Sequence, residues 1–184
     1  MTLGQYSLRE EIMNQSSNKV DRAILAEQES QLVFEAFSKV TAWEIGSELR
    51  RQCDERGVAT AIEIRMSRKT VFFTCMEGAS SNNTDWARRK RNTVELMDQS
   101  SYLVGLSLEK GETLQHKTGL ALRDFSSFGG AFPVRVKGVG VVGVITVSGL
   151  PQRDDHSLIV EVLVKKLNLT GCNLELPVPQ KPGL

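Results

Sequence analysis

Two acidic residues and a histidine stand together late in the chain, as Asp154-Asp155-His156. A carboxylate beside an imidazole can move protons in general acid–base catalysis, so one interpretation gives His156 the proton transfer and Asp155 its orientation. The other interpretation is structural. Pro151 predicts that a helix begins here, and carboxylates in a first helical turn stabilise the helix dipole. The residues alone leave both interpretations open.

The residue types that bind metals are too scattered to form a centre of several ligands. His116 and His156 lie on different predicted elements, and Cys53, Cys75 and Cys172 show no Cys-x-x-Cys spacing. The sequence therefore predicts no metal site built from several histidines or cysteines. A single histidine is enough to be the proximal ligand of a haem, so haem stays a candidate cofactor.

The strongest run of charge is Arg88-Arg89-Lys90-Arg91, in a segment whose apolar residues recur with a helical period. Successive helix positions are rotated by about 100°, so the four cations cannot share one face. Lys90 lies on the same side of the helix as Trp86. One interpretation is a solvated helix face, and the other is that one or two of these cations hold an anionic group such as a carboxylate.

Two glycine-rich stretches each have a functional and a structural interpretation. The backbone N–H groups around Gly129 and Gly130 are able to hold an anion, and a plain turn explains the same residues equally well. Gly138, Gly140 and Gly143 match the G-x-G-x-x-G pattern of dinucleotide-binding loops. That motif opens a helix, whereas residues 144–147 are typical of a strand, so we interpret these three glycines as structural.

The elements that must position these residues follow from periodicity and from helix caps. Ser38 is a good N-cap and Gly57 a good terminator for the helix between them. The predicted order is a short helix over 21–30, a strand over 31–37, a helix over 39–56, a hairpin over 58–66 and 70–76, a helix from Asn83 or Thr84 to about Ser101, an irregular stretch over 102–129, a hairpin over 131–136 and 139–149, and a last helix from Pro151. Five mostly antiparallel strands with helices on both faces is the economical α/β arrangement.

One domain accounts for most of the chain. We predict a loose N-terminal arm over 1–25, a single α/β domain over 26–171 and a proline-rich tail over 172–184.

Lys and Arg number 23 against 22 Asp and Glu, and this balance argues against a sequence-independent nucleic-acid binder. The N-terminus lacks the apolar core of a signal peptide, and the longest apolar run is too short to cross a bilayer. These features predict a cytoplasmic protein with no membrane partner.

Four blocks, taken in order and spacing, resemble the haem-degrading-domain family related to GlcG and HbpS. The resemblance extends over roughly residues 30 to 170 and is to the uncharacterised branch found in bacteria and fungi. The blocks are Asp85-Trp86-x-x-Arg89-Lys90 with Thr93, the following Ser100-Ser101, Phe128-Gly129-Gly130-Ala131, and Ser148-Gly149-Leu150-x-x-x-Asp154-Asp155-His156.

The resemblance implies a profilin-like, three-layer α/β/α domain and homo-oligomers built from dimers. It also implies a small-molecule ligand, since some relatives bind or slowly degrade haem. The positions that match the family are Trp86, Arg89, Lys90, Gly129, Gly130, Gly149, Asp155 and His156.

Three functions are consistent with these observations. The first is a small-molecule-binding protein that holds haem or another anionic ligand near the start of the last helix. The second is a cofactor-free enzyme on a small organic acid or metabolite, with His156 as the acid–base group and Asp155 as its orienting partner. The third is an oligomeric scaffold or adaptor.

Overall fold

The computed structural model describes residues 18–109, 111–169, 171 and 173–178. Its elements, in chain order, are α1 (18–31 within the described residues), β1 (Val33–Phe34), α2 (Lys39–Arg56), β2 (Ala61–Met66), β3 (Lys69–Cys75), α3 (Ser81–Met97), α4 (Ser101–Leu106), α5 (Leu114–Thr118), β4 (Ala131–Val136), β5 (Gly140–Ser148) and α6 (Gln152–Lys166). Among the described residues, no helix is long and apolar enough to span a membrane.

The five strands form one sheet in the order β1-β4-β5-β2-β3. All neighbours are antiparallel except β1 and β4, which run parallel. Alternate residues of a strand point to opposite faces, so Ile62 and Ile64 of β2 pack beneath α2 and α6, while Glu63 faces α3. The predicted three-layer α/β/α fold around a mostly antiparallel five-stranded sheet is confirmed.

Helix α2 has the predicted bounds because both ends carry strong local signals. Ser38 forms a capping box with Thr41, and Gly57 adopts a left-handed conformation with φ of 65°. Helix α3 differs from its prediction: it begins at Ser81 and ends at Met97. Asp98 turns into the left-handed region at φ 53°, and a separate helix, α4, begins three residues later.

The strand predicted over 31–37 is wrong in length. Residue 31 is the last of α1, and Leu32 N–H still donates to the Gln28 carbonyl at 2.9 Å. Only Val33 and Phe34 find partners on β4, so the strand is two residues long. The tertiary contacts of α1 override the β propensity of this segment.

Both ends of the described chain pack onto the domain. Residues 18–25, which the sequence analysis assigned to a loose arm, are helical, and Leu25 is fully buried. In the segment assigned to the tail, Leu174 is buried and its carbonyl accepts a hydrogen bond from Gln28 Nε2 at 2.6 Å. Residues 1–17 and 179–184 lie outside the described residues.

The glycine pattern at 138–143 forms the β4–β5 turn and the crowded start of β5. Gly138 and Gly140 have positive φ angles of 73° and 103°. A Cβ on Gly143 would lie 2.2 Å from the Arg65 carbonyl oxygen of the neighbouring strand. The glycines therefore serve the sheet itself, in agreement with the structural interpretation of this motif.

We predict that Gly143→Ala destabilises the fold by about 3 kcal/mol, because the backbone of β2 cannot move away without breaking the sheet. Gly138→Ala is the matched control, since its Cβ would meet nothing within 4 Å and only the positive φ opposes it. We expect it to cost about 1 kcal/mol. Urea unfolding of both variants measures the difference, and equal losses would contradict the crowding argument.

Candidate functional site

A pocket of about 390 Å³ opens where the first turns of α3 and α6 meet the end of β5. Phe128 joins these elements from the loop that precedes β4. The pocket is lined by Asn82, Asn83, Trp86, Lys90, Phe128, Ser148, Gly149, Leu150, Gln152 and Asp155. Four of the eight positions matched to the family line this pocket, namely Trp86, Lys90, Gly149 and Asp155.

The floor of the pocket is a buried ion pair between α3 and α6. Lys90 Nζ lies 2.7 Å from Asp155 Oδ2, and the side chains are only 5% and 0% exposed. The other carboxylate oxygen of Asp155 accepts a hydrogen bond from Leu150 N–H at 3.0 Å. Lys90 Nζ also approaches the Val147 carbonyl at 3.4 Å. The pair thus joins two helices to the end of β5.

Burial shifts both members of this pair towards their neutral forms. Desolvation lowers the pKa of Lys90 and raises the pKa of Asp155, because a charge is less stable away from water. Their mutual attraction opposes both shifts. An ammonium has three donors, and Asp155 and the Val147 carbonyl occupy two of them, so one N–H of Lys90 is left for a further acceptor.

The matched glycines allow the backbone to pass close to this pair. A Cβ on Gly130 would lie 2.8 Å from Asp155 Cβ and 2.9 Å from Lys90 Nζ, and its φ is 118°. A Cβ on Gly129 would lie 2.3 Å from the Gln152 carbonyl oxygen, and one on Gly149 would lie 2.5 Å from the Ala59 carbonyl oxygen. These three glycines are required by close packing around the pocket.

Two aromatic rings form the walls of the pocket. Trp86 and Phe128 meet edge to face with centroids 5.4 Å apart, and Phe128 is 52% exposed. The Arg89 guanidinium lies 3.7 Å from the centre of the Trp86 ring and pairs with Asp85 at 2.9 Å. Arg89 therefore supports the wall from behind rather than lining the pocket.

The rim carries neutral polar groups that the sequence analysis did not single out. Asn82 and Asn83 come from the first turn of α3, and Ser148 ends β5. Gln152 opens α6, and its side-chain oxygen accepts a hydrogen bond from Gly129 N–H at 3.2 Å. The available signal was their position, because Ser148 and Gln152 fall within one matched block and Asn82 and Asn83 come just before another.

His156 lies away from this pocket, although it follows Asp155 directly in sequence. It is completely buried, and its Nε2 lies 2.7 Å from Gln28 Oε1. The Gln28 amide donates to the Leu174 carbonyl, so its oxygen faces the histidine and Nε2 must be the donor. Nδ1 then carries no proton, and it has no partner among the described residues. Asp155 engages Lys90 and Leu150 instead, so the two predicted catalytic residues are not brought together.

Burial lowers the pKa of His156 from 6.5 to about 3. The neighbouring rings of Tyr102 and Phe132 exclude water, and the positive charge of Arg153 adds to the effect. The imidazole is therefore neutral throughout the physiological range. His116 is exposed on α5 and does not line the pocket.

The described residues do not include a group of three His, Cys, Asp or Glu placed to hold a metal ion. The pocket lining likewise includes no histidine, cysteine, methionine or tyrosine within that part of the chain. The site fits a flat ligand with an acceptor group, and it offers none of the usual protein ligands for haem iron.

Many known proteins are similar in sequence to this chain. A model of the HbpS-like family of haem-degrading proteins matches residues 37–163. A UPF0303 protein of Sinorhizobium medicae is 49% identical over 153 residues, which is 83% of this chain and 93% of that relative. A UPF0303 protein of Azotobacter vinelandii is 49% identical over 144 residues, covering 78% and 87%.

Solved structures share the fold. The crystal structure of the Ybr137w protein has a TM-score of 0.73 and 24% identity, covering 80% of this chain and 87% of that one. The crystal structure of a PduOC complex with haem has a TM-score of 0.60 and 16% identity, covering 74% and 96%. At these identities the likeness establishes the fold alone.

We predict that Lys90→Met lowers the free energy of unfolding by about 3 kcal/mol, because the buried carboxyl group of Asp155 is left without its partner. The double variant Lys90→Met/Asp155→Asn should lose less unfolding free energy than the two single variants lose together, by at least about 1 kcal/mol. Lys165→Met is the control, since Lys165 pairs with Glu48 on the surface and its loss should cost less than about 0.5 kcal/mol. Additive losses in denaturant unfolding would contradict the coupling.

His156 makes stability depend on pH in a direction that can be measured. Its pKa is depressed on folding, so its contribution is complete above pH 6.5 and is lost as the pH falls towards 3. Between about pH 7.5 and about pH 5 the wild type should lose about 2 kcal/mol more than His156→Gln, whose amide retains a donor for Gln28.

His116→Gln is the matched control for this pH series, because it removes the exposed histidine and should keep the wild-type dependence. Urea unfolding at each pH gives the three curves. The same pH dependence in His156→Gln and the wild type would show that His156 takes up its proton equally well in the folded state.

Proposed function

This chain belongs to the HbpS-like family of haem-degrading proteins, as its sequence resemblance predicts, and from that premise we propose that it binds a small anionic molecule in the pocket between α3 and α6. The observation that carries the proposal is the convergence of family-matched residues on one cavity. Two aromatic walls stand above a buried lysine that keeps one N–H for a ligand.

The size and lining of the pocket support a flat ligand. Its volume of about 390 Å³ is that of a small-molecule site, and ring faces contribute stacking area. The amides of Asn82, Asn83 and Gln152 and the hydroxyl of Ser148 supply neutral hydrogen bonds at the rim. A ligand carboxylate that reached Lys90 would share this cation with Asp155, so the pocket favours one acidic group over several.

Haem is the first ligand to test, because a PduOC protein of the same fold has been crystallised with it. One of the two propionates offers the carboxylate, and the porphyrin offers the flat face. Since no described residue that lines the pocket is a usual ligand of iron, haem held here would be recognised through its ring and one propionate. The proposal therefore concerns a porphyrin or another flat acid, without assigning a role to the metal.

The observations favour binding over the other two functions. The enzyme hypothesis depends on His156, which is fully buried, hydrogen-bonded to Gln28 and separate from the pocket. The scaffold hypothesis predicts that the matched blocks enclose no cavity, and the pocket they line argues against it. Assembly of this chain from dimers and its location in the cytoplasm are likewise part of our proposal, supported by the family resemblance and the sequence features given above.

We predict that Phe128→Ala weakens haemin binding at least tenfold, because it removes one aromatic wall of the pocket and leaves the Lys90–Asp155 ion pair unchanged. Leu96→Ala is the matched control: Leu96 is 54% exposed on α3 and does not line the pocket, so its removal should leave affinity unchanged. Titration of the purified protein with haemin, followed in the Soret band, gives the affinities. Unchanged haemin affinity in Phe128→Ala would exclude this pocket as the haem site.

Iron-free protoporphyrin separates recognition of the ring from recognition of the metal. We expect it to bind within about threefold of haemin, because the described residues that line the pocket supply no iron ligand. Absence of saturable binding for both porphyrins would rule out porphyrins. A smaller aromatic carboxylate, tested against the same two variants, would then decide whether the pocket binds flat acids at all.

A further inference from the structure

The lysine at the floor of the pocket is already paired with a carboxylate. Among the described residues that line the pocket, Lys90 is the one amine and Asp155 the one carboxylic acid. A site built only to attract an anion would gain more from a cation without this partner, because the carboxylate cancels most of its field. An amine and a carboxyl group 2.7 Å apart are instead suited to exchange a proton.

The carboxyl group of Asp155 is oriented for this exchange. Its Oδ1 accepts the Leu150 N–H at 3.0 Å, so Oδ2 is the atom that faces the amine. Burial lowers the pKa of Lys90 and raises the pKa of Asp155, and both shifts make proton transfer from the amine to the carboxyl group easier than it is in water. Without that proton, Lys90 has the free electron pair that makes a lysine nucleophilic.

A ligand can approach the amine of Lys90 from the pocket. On the protein side, Nζ is bounded by Asp155, by the Val147 carbonyl oxygen at 3.4 Å and by Gly130, where a Cβ would lie 2.9 Å from it. On the other side Lys90 lines the cavity. A carbonyl oxygen that accepts the unused N–H places its carbonyl carbon beside the same nitrogen, which is the geometry that precedes attack.

We propose that Lys90 captures the carbonyl carbon of a flat oxo acid as an imine, with Asp155 as the proton carrier. An oxo acid is an aldehyde or ketone that also bears a carboxylate. The inference rests on the proposed binding of a flat acid in this pocket, and it adds a covalent bond and a chemical class of ligand. For such a ligand the carbonyl, and not the carboxylate, is the group that reaches Lys90.

The reaction needs only the two side chains and the ligand. Asp155 takes one proton from the Lys90 ammonium. The electron pair of Nζ then forms a bond to the carbonyl carbon, while the carbonyl oxygen receives the proton that Asp155 carries. Asp155 next removes one of the two protons left on the nitrogen and passes it to the new hydroxyl group. The carbon–oxygen bond breaks, water leaves, and the nitrogen electron pair closes the carbon–nitrogen double bond.

The reaction keeps the buried charges balanced. The iminium carries the single positive charge that the Lys90 ammonium carried, and Asp155 ends as the carboxylate that it was at the start. Because a buried carboxylate without a partner is strongly destabilising, this balance is what permits the reaction at a buried nitrogen.

The rim of the pocket offers a donor for the carboxylate of the ligand. Asn83 Oδ1 accepts both the Ser80 N–H and the Ser80 hydroxyl, each at 2.8 Å, so the NH2 end of the amide is left for a ligand. Asn83 and Lys90 line the same cavity and lie two turns of α3 apart, which is about 10 Å along the helix axis. A ligand that reaches both therefore has its carbonyl and its carboxylate at opposite ends of a flat frame.

Reductive trapping tests the covalent bond. The full-length protein is incubated with para-carboxybenzaldehyde and sodium cyanoborohydride, which converts an imine to a stable secondary amine. Each adduct adds the mass of the aldehyde less one oxygen atom, and peptide mass spectrometry locates it. We expect Lys90 to be modified at least about tenfold faster than the exposed Lys165, because the pocket holds the carbonyl beside a nucleophilic amine. Modification of Lys90 no faster than of Lys165 would overturn the proposal.

Two lysine variants provide matched controls. Lys90→Met should lose the fast adduct, and Lys165→Met should keep it, since Lys165 pairs with Glu48 outside the pocket. A fast adduct that persists in Lys90→Met would place the reactive amine elsewhere and overturn the assignment. The mapping of the wild-type protein does not depend on the stability of Lys90→Met, so the proposal can fail on the wild type alone.

The alcohol para-hydroxymethylbenzoate separates this inference from the proposed function, because it has the same frame and carboxylate without the carbonyl. Isothermal titration calorimetry measures its binding, which should weaken at least about tenfold in Phe128→Ala. Binding of the alcohol without a preferred adduct at Lys90 would overturn the imine and leave the binding pocket standing. Absence of both would overturn the imine and the binding of flat acids together.

The proton carrier has its own test. Asp155→Asn keeps the size of the side chain and removes its capacity to carry a proton, so the rate of adduct formation at Lys90 should fall at least about tenfold. The alcohol should still bind this variant within about threefold of the wild type, since the walls and rim of the pocket remain. An unchanged rate of adduct formation would overturn the role given to Asp155.

Discussion

The rest of the site depends on the buried pair between Lys90 and Asp155. One charge comes from the middle of α3 and the other from the first turn of α6, 65 residues apart in sequence. A buried charge without a partner is strongly destabilising. A shift of either helix would separate Lys90 from Asp155, so the pair holds the two helices in place. The second oxygen of Asp155 fixes Leu150 N–H, which sets the path of the chain as it leaves β5. The pocket between the two helices is the space that this geometry leaves open.

The pair also determines the chemistry of the pocket. Its two charges cancel, and Arg89 is matched by Asp85, so the cavity holds polar groups without a strong net field. A ligand gains from Lys90 only through the donor that Asp155 and Val147 leave unused. Recognition then depends on shape, stacking and a few directed hydrogen bonds, which is how small-molecule sites generally achieve specificity.

Local signals in the sequence predicted much of the fold. Ser38 and Gly57 fixed the ends of α2 because caps act on their own backbone. Strand β1 was predicted too long because its length is decided by the partners that β4 offers. The resemblance picked out Trp86, Lys90, Gly149 and Asp155 but did not decide whether they form one pocket, and the Lys90–Asp155 bond is a tertiary contact that no local pattern encodes.

His156 shows how adjacency in sequence misleads. Neighbouring positions of a helix are rotated by about 100°, so Asp155 faces α3 while His156 faces Gln28 of α1.

Many of the matched residues stabilise the fold and shape the site at the same time. Gly130 makes room for the ion pair, and Gly149 lets β5 pass close to Ala59 and Thr60, so losing either would harm folding whether or not a ligand binds. The presence of these glycines is therefore explained by fold stability alone, with or without a ligand. Phe128 differs from them, because its ring is half exposed, contacts the Trp86 ring and belongs to none of the buried hydrophobic clusters among the described residues. An apolar ring exposed at the mouth of a cavity gains burial when a ligand covers it, so the effect of Phe128 on ligand binding can be measured separately from its effect on folding.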